Sequence, residues 1–69
     1  MKLNFFKDEW EVLIGNCGFT DVEMEIIPFL RRGWFAVDIA AELNISVSTF
    51  LRRKKNIEKK ILRYLEMAG

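Results

Sequence analysis

The eighteen residues from Gly33 to Phe50, GWFAVDIAAELNISVSTF, decide how this chain is read. Ile39, Ala40 and Leu43 fall on one side of a short helix covering roughly Ala36 to Leu43. Asn44 follows where the chain must turn sharply, and Asn tolerates the left-handed backbone conformation better than any residue except Gly. Ile45 is expected to plug the corner, and Ser46 is a good N-cap for a second helix that carries Thr49 and Phe50. Two helices crossing steeply through a short turn need a small residue at the crossing, here Ala40, with apolar residues on both sides of the corner. The pattern is a helix-turn-helix.

Toward the C-terminus, no Gly or Pro interrupts the chain between Ser46 and Gly69, so the second helix of the motif can run about 20 residues, or roughly 30 Å. Phe50, Ile57, Ile61 and Leu65 form its apolar stripe. Leu62 and Tyr64 widen that stripe near the end, where a long helix projects past a small core, and they are a candidate dimer surface. Opposite the stripe, the 3.6-residue period gathers Ser48, Leu51, Arg52, Lys55 and Lys59.

Toward the N-terminus, Thr20 and Glu23 have the spacing of a capping box opening a helix with Val22, Ile26, Phe29 and Leu30 as its stripe. Pro28 removes a hydrogen bond from that helix and predicts a kink. Before it, Phe6, Trp10, Leu13, Ile14 and Cys17 share one face of a further helix, with Asn4 available as its cap and Gly15 and Gly18 bracketing its end. No alternation of β-branched residues marks a strand. The expected class is therefore all-α, a bundle of about four helices. Residues 1–18 form an N-terminal amphipathic helix packed on the core and 19–69 the helix-turn-helix unit, together one compact domain.

With 69 residues, of which 51% are hydrophobic, the chain is a single module. At this size folding buries only about 60% of the unfolded surface, so every apolar face should find a partner. Net charge is +1, which by itself argues against a polyanion as partner, but the distribution reverses that reading. Residues 1–25 hold Lys2 and Lys7 against six carboxylates. Residues 52–69 hold Arg52, Arg53, Lys54, Lys55, Lys59, Lys60 and Arg63 against Glu58 and Glu66 alone.

With no His and one Cys, the chain has no zinc site, no internal disulfide and no His-based triad. Cys17 is expected to be a small buried hydrophobe, because no flanking cation would lower its pKa. No apolar run reaches the roughly 18 to 20 residues that span a bilayer, and Met1 to Phe6 lacks the features of a signal peptide. A reducing, cytoplasmic setting follows as an expectation, with no membrane association. No carboxylate pair, Gly-rich phosphate loop or activated nucleophile can be assembled, so the chain is not expected to be an enzyme or to need a cofactor.

From Phe19 to about Ile61 the sequence resembles the LuxR-type (GerE-type) helix-turn-helix and, more loosely, region four of bacterial sigma factors. The resemblance rests on Thr20, Glu23, Glu25 and Ile26 in the scaffold helix and on Gly33. It continues through Ile39, Ala40, Leu43, Ile45, Ser46 and Thr49 to Ile57, Lys60 and Ile61. It implies a DNA-binding transcriptional regulator of bacterial, phage or mobile-element type, with a long C-terminal recognition helix. Family members reach base edges from the positions of Leu51, Arg52 and Lys55, and these together with Ser48 are the expected base contacts. The Arg52 fork and the Lys55 ammonium suit guanine O6 and N7, and Leu51 suits a thymine methyl. Arg31, Arg32, Arg53, Lys54, Lys59 and Lys60 are the expected phosphate contacts. Double-stranded DNA and a second copy of the chain, as a homodimer, are the expected partners.

Two departures from the family stand out. A small polar residue usually caps the first motif helix, whereas this chain has Phe35 beside Trp34, so the cap is lost and two aromatics need cover. The N-terminal helix is the expected cover, in preference to the alternative of an exposed protein-binding patch. The family also tends to add a separate dimerisation helix, for which too few residues remain. The alternative reading is a protein-interaction module that uses a sigma-like or LuxR-like surface to bind RNA polymerase or a cognate regulator.

Overall fold

A computed structural model describes residues 3–68; Met1, Lys2 and Gly69, which belong to the expected segments 1–18 and 19–69, lie outside the described residues. Four helices follow one another: α1 (Lys7–Asn16), α2 (Asp21–Arg31), α3 (Ala36–Glu42) and α4 (Val47–Ala68), with no strand among the described residues. The class is all-α.

Local side-chain chemistry sets most of the starting points. At α2 the Thr20 Oγ1 accepts from the Glu23 N–H at 3.2 Å, and the Thr20 N–H donates to Glu23 Oε1 at 2.8 Å, so the capping box is closed on both sides. At α4 the Ser46 Oγ accepts from the Thr49 N–H at 3.1 Å while its own hydroxyl donates to Thr49 Oγ1 at 2.8 Å. The start of α1 differs from expectation. Asn4 does not cap it; Phe6 is the N-cap residue, and its N–H donates to Glu9 Oε1 at 2.8 Å. A phenyl ring has no acceptor, so only the Glu9 half of a capping box exists there. Starting the helix at Lys7 also turns Phe6 out to solvent, 81% exposed, and Phe5 takes its place with its ring edge-on to Trp10 at 5.4 Å.

Two helices end in the same way. After α3, the Asn44 N–H donates to the Ala41 carbonyl at 3.2 Å and the Ile45 N–H to the Ala40 carbonyl at 2.9 Å, with Asn44 at φ 57°. After α2, the Gly33 N–H donates to Leu30 and the Trp34 N–H to Phe29, each at 3.1 Å, with Gly33 at φ 75°. Both are Schellman motifs, in which a left-handed residue lets the chain reverse and satisfies carbonyls that would otherwise be orphaned. The apolar contact that accompanies such motifs is present at α2 as Trp34 against Phe29, ring centroids 4.8 Å apart. Pro28 is exposed, and α2 runs through it to Arg31 as one element.

The core draws on all four helices: Trp10 and Leu13, Ile26 and Ile27, Ile39 and Ala40, and Phe50, Ile57 and Ile61. Each of α1, α2 and α3 packs on α4, whose length of about 33 Å nearly equals the longest dimension of the molecule, 35 Å. Full burial of each large apolar side chain contributes about 1.5–3 kcal/mol. Two stripe assignments change. In α2 Ile27 is buried and Val22 is exposed. In α4 Leu65 is 45% exposed, because the inner stripe continues from Ile57 and Ile61 to Tyr64, one helical turn further along the same face.

Candidate nucleic-acid interface

The turn at Asn44 launches α4 from a capped first turn, and burial of Phe50, Ile57 and Ile61 fixes its rotation about its own axis. That rotation decides what faces solvent. Ser48, Leu51, Arg52, Lys55 and Lys59 are all exposed and lie along one side, spanning about 16 Å of helix from Ser48 to Lys59. The side expected to be outward is therefore outward. Arg63 is also exposed and continues the same row four residues beyond Lys59; the 3.6-residue period carries that signal in the sequence, although the expected contact set stops short of it.

The other expected contacts are placed differently from this row. Arg53 and Lys54 are half-buried and flank the buried stripe, where their aliphatic stems cover apolar surface while the charged ends reach water. Arg31 and Arg32 are exposed at the C-terminal end of α2, a position where a cation also complements the helix dipole by about 0.3–1 kcal/mol.

Lys60 departs from the expected phosphate-contact role. Its Nζ lies 2.5 Å from Glu23 Oε1 and 3.3 Å from the Gly18 carbonyl oxygen, tying α4 to the start of α2 and to the loop after α1. Glu23 is 5% exposed, the one buried charged residue among the described residues, and an acid removed from water keeps its charge only if it is paired. Burial pushes the Glu23 carboxyl up; the Lys60 ammonium and the hydrogen bonds from Thr20 outweigh that and hold it below its ordinary value. Lys60 is thus part of the scaffold. Among the described residues this is the only ion pair, so Arg52, Arg53, Lys54, Lys55 and Lys59 form none with a described carboxylate.

Cys17 is half-buried, and burial raises its thiol pKa while Lys60 pulls it down less strongly. The balance is that of a small apolar side chain rather than a poised thiolate. Lys60 is a cation that the residues flanking Cys17 in sequence do not reveal.

Trp34 and Phe35 do not gain the expected cover: they are 40% and 79% exposed. Helix α1 instead lays Trp10 and Leu13 into the core alongside α4, Trp34 leans on Phe29, and Phe35 occupies the N-cap of α3 with no side-chain cap hydrogen bond. No group of His, Cys, Asp or Glu able to hold a metal ion occurs among the described residues, and no helix there is long and apolar enough to cross a membrane. Compared with protein-family models, curated proteins and solved structures, the chain matches none.

Proposed function

We propose that this chain is a non-enzymatic, sequence-specific DNA-binding regulator of the helix-turn-helix type, akin to LuxR-type domains, that places α4 in the major groove of duplex DNA in the cytoplasm. The observation that carries the reading is the outward row on α4. Arg52, Lys55 and Lys59 stand there with no carboxylate partner among the described residues, beside Ser48 and Leu51, on a helix whose rotation and first turn are fixed by packing and capping. The roughly 12 Å width of the major groove admits one helix, and a row of this length reaches several base pairs.

In this reading Ser48, Leu51, Arg52 and Lys55 meet base edges, whereas Lys59, Arg53, Lys54, Arg31 and Arg32 meet phosphates and set register. Lys60 is left out because Glu23 holds it. Acidic residues concentrated in α1 and at the start of α2 are repelled by phosphate, which orients the docking. A homodimer on an inverted repeat is the expected assembly.

Selection of bound sequences from a randomised duplex pool tests this directly. An enriched motif, with two half-sites about one helical turn apart if the protein binds as a dimer, is the expected result. Absence of duplex binding even at low salt overturns it.

A further inference from the structure

The outer face of α3 carries a second surface whose chemistry is unlike that of α4. Gly33, Trp34, Phe35, Asp38, Ala41 and Glu42 line a shallow groove of about 630 Å³. Phe35 is 79% exposed and Trp34 40%, and Val37 adds apolar surface next to them. Asp38 and Glu42 stand one turn apart along the groove, neither is in an ion pair among the described residues, and no cation is among the lining residues.

Folding does not account for this arrangement. Trp34 serves the α2 end by packing on Phe29, but Phe35 contributes no cap at a position that favours Ser, Thr, Asp or Asn, and its ring points to water. A site where local sequence preference is overridden without a packing gain is where function is to be sought. The two carboxylates disfavour phosphate as the occupant. What complements two aromatic faces and two unpaired carboxylates is a cationic side chain with an apolar stem or neighbours, held by ring faces and charge-assisted hydrogen bonds.

We infer that the Trp34–Phe35 groove is a protein-docking site that takes a basic segment of a partner protein, with an Arg or Lys set between apolar residues. The inference is independent of DNA binding by α4, since the two surfaces share no residue.

Phage-displayed random dodecapeptides, selected on the immobilised full chain, provide the probe. Arg- or Lys-containing peptides with apolar neighbours should be enriched at least tenfold over selections on Phe35→Ser and on the Asp38→Asn, Glu42→Gln double variant. Their binding should weaken with salt and should shift the Trp34 indole resonance, assigned with Trp34→Phe, while that of the buried Trp10 stays put. All these positions are exposed, and the variants are expected to retain helical circular dichroism and any duplex binding of the parent, which separates failure of this site from failure of the DNA reading. No enrichment over the variants, or enrichment of acidic peptides, overturns the inference. So does concentration-dependent pairing in sedimentation that Phe35→Ser abolishes, which would make a second copy the occupant.

Discussion

Lys60 and Glu23, separated by 37 positions in the chain, form the one ion pair among the described residues and join α4 to the first turn of α2. The Glu23 carboxylate also closes the Thr20 capping box, so a single side chain both starts a helix and anchors it to the long helix on which the others pack. The cation is consumed by architecture, which separates it from the neighbouring Lys59 despite their adjacency.

Glu23→Gln should lower stability by about 1–3 kcal/mol, the usual cost of losing a charged hydrogen bond at a largely buried site. Because the folded-state pKa of Glu23 lies below its ordinary value, its contribution is fully present above about pH 4.3 and is lost as pH falls through the depressed value. Urea denaturation from pH 7 to pH 3 should show a decline at the acid end that is shallower in Glu23→Gln. An unchanged slope would mean the pair does not stabilise the fold.

Lys59→Ala and Lys60→Ala should part company. The first is expected to leave the thermal midpoint nearly unchanged while weakening all duplex sequences alike and reducing the salt slope by about one. The second should destabilise the fold, since Glu23 would remain buried without its partner. Thermal melts and salt titrations of DNA affinity on the two variants check both halves.

Arg52→Ala should cost about 1–3 kcal/mol at one base position and relax the preference there, leaving the other positions intact. Competition against a set of single-base site variants reads this out. A uniform loss across all variants would reassign Arg52 to a phosphate.

Phe35→Ser should raise stability by about 0.5–1 kcal/mol, because it supplies the missing acceptor for the first turn of α3 and removes an exposed ring. Chemical denaturation measures it. A loss of stability would show that the ring packs on something in solution.

Gly33→Ala should cost about 1 kcal/mol although nothing lies within 4 Å of the added methyl, since the penalty arises from φ 75° and not from a clash. Asn44→Gly, at φ 57°, should change stability by only a few tenths of a kcal/mol or raise it. Comparing the two by denaturation separates backbone strain from crowding.

Features that depend on contacts within about five residues were readable from the one-dimensional chain. The Thr20–Glu23 box, the Ser46 cap and the left-handed Asn44 are all of this kind, and helical periodicity likewise set Ser48 to Lys59 opposite the apolar stripe. The Asn4 cap failed even at short range: Glu9 offered Phe6 a competing partner, and packing of Phe5 on Trp10 favoured the later start. Only the tertiary structure decided the partner of Lys60, the exposure of Leu65 in favour of Tyr64, and the exposure of Trp34 and Phe35. Those outcomes turn on which helix lies against which, and helical periodicity specifies a face without naming its neighbour.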